Sequence, residues 1–186
     1  MKKVCLLLLV FLCFCVESKA QWIAIKSNLL YDAIATPNLG AEVALNDRLT
    51  LEASGYYNGW TFSNQKSFKH WMVQPELRFW LHERFNGHFF GLHGQYMDYD
   101  FAGLPMIYGM KKDKAYDGNA FGGGISYGYQ LYLSPRWNLE FTAGVGFVRF
   151  KYDKYPFPKE GGPIGKFRND YWGPTKLGIS IVYIIK

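Results

Sequence analysis

The most regular feature of this sequence is an alternation of hydrophobic and polar positions with a period of two residues. In the segments 121–133, 137–147 and 177–185, apolar or aromatic residues take every second position, and glycine or polar residues take most positions between them. Successive side chains of a strand point to opposite faces of a sheet, so this period predicts β-strands. Weaker forms of the pattern predict five more strands, over residues 22–31, 38–46, 49–60, 70–81 and 87–98.

The connections between these predicted strands alternate in length. Short turns at 46–48, 82–86 and 134–136 are separated by longer polar segments at 61–69, 99–118 and 152–170. Strands of ~9–11 residues joined by short turns on one side and long loops on the other are typical of outer-membrane barrels. We therefore predict a single all-β domain, an eight-stranded antiparallel up-and-down outer-membrane β-barrel. Pro75 falls inside the fourth strand and lacks a backbone donor, so we expect a β-bulge there.

The N-terminus has the organisation of a secretory signal peptide. Two lysines precede an apolar run over residues 4–16, and the small residue Ala20 ends the segment. The run is shorter than the ~20 residues of a membrane-spanning helix. We therefore expect residues 1–20 to be a signal peptide cleaved after Ala20, and residues 21–186 to form the exported domain. Cleavage would remove all three cysteines and lower the formal charge from +6 to +4.

Alternation alone does not say which face of the barrel points inward. One alternative is an exported soluble, lipocalin-like barrel that binds a lipid among inward apolar side chains. The polar face is rich in glycine, serine and threonine, which suits a narrow lumen better than a solvated surface and favours the membrane barrel. Membrane barrels also carry aromatic girdles at both interfaces. The predicted girdle comprises Tyr57, Trp60, Trp71, Phe79, Tyr132, Trp137, Trp172 and Tyr183.

On this assignment the polar face of the strands lies in the lumen. A buried charge costs several kcal/mol unless it is paired, and an eight-stranded barrel has room inside for side chains only. We therefore expect a salt-bridged network that fills the lumen and leaves no wide pore. Acid–base catalysis by paired carboxylates is the weaker interpretation of the same residues. The predicted network comprises Lys26, Glu42, Glu52, Glu76, Arg78, His93, Glu140 and Lys176.

Motifs for catalysis, cofactors and metals are weak in this sequence. The glycines at 122–124 lack phosphate-loop spacing, and the four histidines lack metal-ligand spacing. Ser126 and His93 both face the predicted lumen, but nothing in the sequence places them within reach of each other. We therefore predict a non-enzymatic protein with no catalytic residues, no cofactor and no metal. Its positive charges are spread among loops, which favours contact with outer-membrane lipid and lipopolysaccharide over nucleic acid.

Several short stretches of the chain resemble one family of proteins. They lie at 26–33, 36–40, 60–63, 70–71, 73–76, 85–89, 91–93 and 123–129, and the first reads Lys-Ser-Asn-Leu-Leu-Tyr-Asp-Ala. They span most of the exported domain, which is similar to an uncharacterised family of Bacteroidota envelope proteins, the domain of unknown function 3575. The resemblance implies an outer-membrane β-barrel, sometimes associated with fimbrial or surface-structure genes. It implies no catalytic residue.

Taken together, these features predict a structural or surface-interaction protein of the outer membrane. Its expected partners are outer-membrane lipid and lipopolysaccharide, together with a surface or fimbrial protein whose assembly it would assist. Two alternatives stay open from the sequence. One is the soluble lipid-binding barrel, and the other is a lipid-modifying enzyme of the outer membrane.

Overall fold

A computed structural model describes residues 23–61, 66–103, 113–159 and 161–185. The expected signal peptide lies outside these ranges. The described chain forms eight strands and one short helix. These are β1 (Ile23–Asn28), α1 (Leu29–Ala33), β2 (Asn38–Ala44), β3 (Leu49–Asn58), β4 (Ser67–Trp80), β5 (Gly87–Ala102), β6 (Lys114–Ser134), β7 (Trp137–Pro156) and β8 (Gly165–Ile185).

The eight strands form a closed antiparallel barrel in sequence order. Each strand pairs with its neighbours along the chain, and β1 closes the ring against β8, with Ile23 opposite Ile185 and Asn28 opposite Ser180. We call the end that holds Ile23, Ile185 and the three short turns the lower end, and the opposite end the upper end. The prediction of an eight-stranded antiparallel all-β fold is confirmed.

Five strands extend further toward the upper end than the sequence pattern predicted. β4 begins at Ser67, β5 ends at Ala102, β6 begins at Lys114, β7 ends at Pro156 and β8 begins at Gly165. The prediction of loops at 61–69, 99–118 and 152–170 is therefore wrong over a large part of the last two segments and at the end of the first. The extensions still alternate, but their aromatic side chains point inward and their charged side chains outward. If a strand is recognised only by its outward apolar residues, an extension with this reversed alternation looks like a polar loop.

Pro75 does not produce the expected bulge, and that prediction is wrong. The ladder between β4 and β5 is interrupted at Gln74 and Pro75, but its register is the same on both sides of the interruption. A bulge occurs instead in the β7–β8 pair. The register there shifts between Gly144 and Val145, so that Thr175 becomes an extra residue in β8.

The barrel wall is much taller on one side than on the other. β1, β2 and β3 have 6, 7 and 10 residues, whereas β6, β7 and β8 have 21, 20 and 21. β1 ends at Asn28, whose side chain accepts a hydrogen bond from the backbone of Leu30 and so caps α1. Because β1 ends there, residues 165–179 of β8 have no partner strand on that side within the described ranges.

An apolar cluster closes the lower end of the lumen. The rings of Trp80 and Phe89 lie 4.7 Å apart, and Phe85 enters from the turn before β5 with a φ of 61°. A left-handed φ costs a residue with a side chain about 1–2 kcal/mol, which burial of the phenyl ring offsets. Asn138 Nδ2 also donates to the carbonyl of Phe85, at 2.8 Å. The lower plug consists of Ala24, Trp80, Phe85, Phe89, Val182 and Ile184.

A second apolar cluster fills the inward face of the upper strand extensions. Tyr99 and Phe101 of β5 stack with their ring centroids 4.8 Å apart, and residues of β6 and β7 pack against them. The upper cluster consists of Tyr99, Phe101, Tyr116, Ala120, Val148 and Phe150. The lumen is therefore bounded by apolar side chains at both ends, and its buried charged side chains lie between them.

Strands β6 and β7 approach each other closely where both carry glycine. Gly124 lies opposite Gly146. A Cβ on Gly124 would collide with the carbonyl oxygen of Val145 and would lie 2.8 Å from Gly146 Cα. The close approach of two backbones, rather than a turn, therefore requires glycine here.

We expect Gly124→Ala to lower the free energy of unfolding by about 1–3 kcal/mol, because the new methyl group must displace backbone. Gly55→Ala is the matched control, since nothing lies within 4 Å of a Cβ at Gly55. That variant should be neutral or slightly stabilised. Urea unfolding in detergent, followed by tryptophan fluorescence, compares the two. Equal loss of stability in both variants would contradict the steric argument.

Candidate functional site

Three glutamates lie side by side in the middle of the lumen. Glu42 of β2 is directly opposite Glu52 of β3, and Glu52 is directly opposite Glu76 of β4. Like charges at such positions repel, because the Cβ atoms are only about 4.5–5.5 Å apart. A fourth carboxylate, that of Glu140 on β7, joins them, and all four residues are at most 2 % exposed. Carboxylates buried to this degree require cations inside the lumen.

The guanidinium of Arg78 contacts all four carboxylates. Arg78 follows Glu76 by two residues on β4, so both side chains point inward. Its Nε donates to Glu76 Oε2 at 2.6 Å, and its Nη1 donates to Glu42 Oε2 at 2.9 Å and to Glu140 Oε2 at 2.8 Å. Its Nη2 pairs with Glu52 and donates to Glu140 Oε1 at 3.1 Å. A planar fork with five donors can serve four carboxylates, which a lysine could not.

Two lysines complete the ion pairing. Lys26 Nζ lies 2.5 Å from Glu42 Oε2 and 2.9 Å from Glu140 Oε2. Lys176 Nζ lies 2.8 Å from Glu76 Oε2. With all seven groups ionised, three cations face four carboxylates, so the network keeps one excess negative charge.

Hydroxyl groups bind the carboxylate oxygens that the cations leave open. The donors are Thr50 to Glu42 and Ser54 to Glu52, both at 2.5 Å, Thr142 to Glu140 at 3.1 Å, and Ser126 to Glu76. The lower plug supports the network from below, since Trp80 Nε1 donates to Thr50 Oγ1 at 2.9 Å. The guanidinium carbon of Arg78 also lies 4.4 Å from the centroid of the Phe89 ring. Such satisfied buried networks are rigid, whereas an incomplete one is costly.

His93, the eighth predicted network residue, lies above the ion pairs rather than among them. Its Nε2 lies 2.9 Å from Thr175 Oγ1, in the bulge of β8. Gln74 Nε2 donates to Gln95 Oε1 at 3.1 Å in the same polar layer. The structure therefore brings seven of the eight predicted residues into one ion-paired cluster and places His93 in the layer above it.

The structure does not bring Ser126 and His93 together as a nucleophile and its base. Ser126 donates to Glu76, and His93 bonds to Thr175, so each is held by a different partner. Within the described residues, no three His, Cys, Asp or Glu side chains are arranged to hold a metal ion. In the same part of the chain, no helix is long and apolar enough to cross a membrane.

The eight predicted girdle residues do not all occupy the same kind of position. Six of its residues point outward from the wall, with Tyr57, Trp71 and Trp172 toward the upper end and Phe79, Trp137 and Tyr183 toward the lower end. Trp60 follows β3 at the upper rim, where its Nε1 donates to Ala35 O at 2.5 Å. Tyr132 differs from the prediction, because it lies opposite Asn138, an inward position, and borders the lower opening.

The outward apolar residues form a belt whose upper edge lies at nearly one level on five adjacent strands. The last apolar residue and the first polar one above it are Trp71 and Lys69 on β4, Tyr96 and Asp98 on β5, Phe121 and Asn119 on β6, Phe147 and Arg149 on β7, and Trp172 and Asp170 on β8. Tyr96 pairs with Phe121 and Phe147 with Trp172, and the edge shifts by two residues between β4 and β5 and between β6 and β7. Above this edge most of the large inward side chains are aromatic, and they form the upper cluster.

Sequence reasoning missed this reversal, although the signal was present in the chain. Between Tyr96 and Met97 the apolar positions change from even to odd numbers, and they change again between Phe147 and Val148. The strand continues through this change, and only the face that carries the apolar side chains is exchanged. Sequence reasoning took the change of parity as the end of the strand.

Polar residues of the first two family-like stretches, 26–33 and 36–40, join β1, α1 and β2 by hydrogen bonds. Asn38 Oδ1 accepts from the backbone of Asn28 at 2.7 Å, and Asn38 Nδ2 donates to Asp32 Oδ1 at 2.9 Å. Ser27 Oγ donates to Asp32 Oδ2 at 2.7 Å. Asn28 Nδ2 also donates to the carbonyl of Leu177 on β8. These hydrogen bonds therefore connect β1 to β8 at the upper end of their pairing.

The fold and the site define a closed eight-stranded β-barrel whose lumen is filled by an ion-paired network between two apolar clusters. The chain belongs to the family described as Protein of unknown function (DUF3575), whose model matches residues 5–185. No curated protein and no solved structure matches the chain.

We expect Arg78→Met to lower the free energy of unfolding by about 3–5 kcal/mol, because it leaves four buried carboxylates with two lysines. Arg149→Met is the matched control, since Arg149 forms a solvent-exposed pair with Asp170, and exposed pairs contribute little to stability. Adding Glu52→Gln to Arg78→Met should recover part of the loss by removing one carboxylate. Urea unfolding in detergent measures all three proteins. An Arg78→Met variant as stable as the control would show that the network does not hold the barrel together.

Proposed function

We propose that this protein is a non-enzymatic outer-membrane β-barrel with a side-chain-filled lumen and a structural or surface-interaction role. In this proposal it is exported by cleavage after Ala20 into the envelope of a Bacteroidota bacterium, where it assists the assembly of fimbrial or other surface structures. The observation that carries the membrane location is the reversal of polarity at the upper edge of the outward belt.

The height of the belt supports this location. On β7 the outward apolar face runs from Trp137 to Phe147, eleven residues that span about 33 Å along the strand. At the tilt of about 40° usual in such barrels this becomes about 25 Å, the height of the apolar band of a membrane barrel. Below it, the turns carry exposed charges such as those of Asp47 and Arg84, which pair at 2.8 Å.

The contents of the lumen argue against a soluble lipid carrier. Such a carrier needs an apolar cavity, and the space between the lower plug and the upper cluster holds seven ionised side chains. At the same time large apolar side chains cover the outer wall, with Ile125, Leu177 and Leu92 each 63–64 % exposed. An apolar outside around an ionic inside suits a barrel surrounded by lipid.

The same interior supports a structural role over transport or catalysis. Its charged groups bind one another and four hydroxyls, so they contribute to stability instead of facing a substrate. Apolar side chains bound the network at both ends, which supports a barrel that conducts no solutes. The parts of the protein that remain available for contact are then its outer wall and its upper extensions.

The upper extensions support a role at the cell surface. β5 to β8 continue for several residue pairs above the belt, with charged residues outward and the upper cluster inward. This arrangement gives a folded wall that stands beyond the membrane. In the proposed orientation its partners are lipopolysaccharide near the belt and a surface or fimbrial protein further out.

We expect Ile125→Arg to lower the free energy of unfolding in phospholipid bilayers by about 2–4 kcal/mol, because it places a charge on the lipid face. Ile164→Arg is the matched control, since Ile164 is similarly exposed but precedes β8 above the belt. It should change stability by less than about 1 kcal/mol. Unfolding of protein refolded into vesicles measures both. A soluble barrel would tolerate both substitutions equally, and that result would reject the membrane proposal.

We also expect the wild-type protein to give no large single-channel currents in planar bilayers, because the network and both apolar clusters fill the lumen. Glu76→Ala should lower stability without opening a conducting path, since its neighbours still occupy the lumen. Current recordings from both proteins at the same protein-to-lipid ratio make the comparison. Large wild-type currents would show that the filled-lumen proposal is wrong.

A further inference from the structure

The outer wall of β6, β7 and β8 carries two grooves, one above the other. Because the wall is proposed to face lipid, we infer that these grooves together bind one membrane lipid with a phosphorylated headgroup, its phosphate in the upper groove and an acyl chain in the lower. This inference rests on the proposed membrane location and adds a ligand class and a binding site to it. Each groove encloses about 480 Å³.

The upper groove, which we call the headgroup groove, is rich in cations. Lys151 of β7 lies directly opposite Arg168 of β8, and Lys166 is two residues away on the same face. These side chains point outward, because the residue before Lys151, Phe150, is buried in the upper cluster. Asn119 of β6 lies opposite Lys151 and adds an amide to the groove.

Two carboxylates also line the headgroup groove, but they do not neutralise it. Asp117 is bound by Lys159, whose Nζ lies 3.1 Å away. Asp153 lies directly opposite Lys166. Lys159 also pairs with Asp100, at 3.6 Å, so it is shared between two carboxylates. The lining of the groove itself carries Lys151, Lys166 and Arg168 against Asp117 and Asp153, a net charge of +1. The groove therefore favours an anion.

The next outward pair below Lys151 and Arg168 is Arg149 and Asp170. Comparison of the two pairs shows which cations remain available to a ligand. Arg149 donates two hydrogen bonds to Asp170, at 2.8 and 3.0 Å, and this bidentate pairing lowers the pKa of the Asp170 carboxyl. Arg168 lies farther from that carboxylate, with its Nε 3.9 Å from Oδ1. Lys151 forms no ion pair within the described residues, and its Nζ lies 5.2 Å from the centroid of the Phe121 ring. Lys151 and Arg168 thus keep donors for a ligand.

The headgroup groove lies where lipid phosphates would be. Below it, beyond the Arg149–Asp170 pair, are the last outward aromatic residues of the belt, Phe147 and Trp172, whose rings lie 5.0 Å apart, and Phe121 lies opposite Arg149. Aromatic residues of this kind mark the level of the headgroups in membrane proteins. Lysine and arginine side chains just outside that level attract anionic lipids.

The lower groove, which we call the chain groove, is apolar and lies within the belt. Ala143 is a small outward residue among large ones, and Ile125, Tyr127, Val145 and Leu177 surround it. From Val145 to Lys151 is six residues, or about 20 Å along the strand. At a tilt of about 40° this is about 15 Å, half the thickness of the hydrocarbon core. An acyl chain in the chain groove would therefore begin at the headgroup groove.

The chemistry of the two grooves selects the ligand. Guanidinium and ammonium groups bind phosphate oxygens with charge-assisted hydrogen bonds. A zwitterionic choline headgroup would bring its own cation toward Lys151 and Arg168 and should bind less well. A soluble phosphate would fill the headgroup groove but gain nothing from the chain groove. The combination favours an anionic phospholipid or phosphorylated glycolipid.

Binding to lipid in neutral detergent tests this site. Native mass spectrometry of the barrel in dodecyl maltoside would be titrated with phosphatidic acid, with phosphatidylcholine of the same chains, and with inorganic phosphate. We expect one phosphatidic acid per barrel, bound at least tenfold more tightly than phosphatidylcholine or phosphate. Phosphate bound as tightly as phosphatidic acid would show a simple anion site and overturn the lipid assignment.

Variants separate the two grooves. Lys151→Glu/Arg168→Glu should weaken phosphatidic acid at least tenfold, whereas Arg136→Glu at the lower end should not change it. Ala143→Phe fills the chain groove and should weaken phosphatidic acid severalfold without changing the weak binding of inorganic phosphate. Unchanged affinity in either groove's variant would overturn the proposal.

Two controls keep this outcome independent of folding and of the membrane proposal. Each variant must keep the heat-modifiable gel migration of the folded barrel before its affinity is compared. Leu92→Arg tests membrane location separately, because Leu92 is 63 % exposed on the same outer wall but lines neither groove. A barrel that passes that test yet binds phosphatidic acid and phosphatidylcholine equally would overturn only the lipid site.

Discussion

One guanidinium group holds the interior of this barrel together. Arg78 contacts every carboxylate of the network, and three of those carboxylates lie directly opposite one another on β2, β3 and β4. Without a cation that reaches all of them, three adjacent buried glutamates would repel one another and separate the strands. The filled lumen and the contact of the lower plug with the network both depend on this pairing.

In the proposed membrane location, the strands of the outer wall keep one geometry in two surroundings. Inward and outward positions alternate without a break along β7, yet outward Phe147 is followed by outward Arg149, and inward Gly146 by inward Val148. The hydrogen bonds between the strands do not depend on this change of polarity, because the backbone pairs in the same way in water and in lipid. The direction of the apolar side chains does depend on the surroundings, since apolar groups are stable outward in lipid and inward in water. The proposed location accounts for the belt, the upper cluster and the charged extensions by this one difference in surroundings.

Much of this fold is readable from the sequence, because alternation reports side-chain direction directly. It identified eight strands and assigned every ion-paired network residue to one face. It did not identify the upper extensions, because the alternation there reverses its polarity. It also did not show that Arg78 reaches Glu140, since cross-barrel contacts depend on register and depth, which alternation does not contain. The bulge at Thr175 and the inward turn of Phe85 depend on tertiary packing, so local sequence did not predict them.

The sequence separation of the ion pairs has a consequence for how the barrel folds. Lys26 meets Glu42 only 16 residues away, but it meets Glu140 across 114 residues, and Lys176 meets Glu76 across 100. The first contact can form in a hairpin, whereas the others wait until β8 reaches β1. Loop closure over such distances is entropically costly and slow. Glu140 and Lys176 therefore remain hydrated until the ring closes, and water leaves the lumen in the final step of folding.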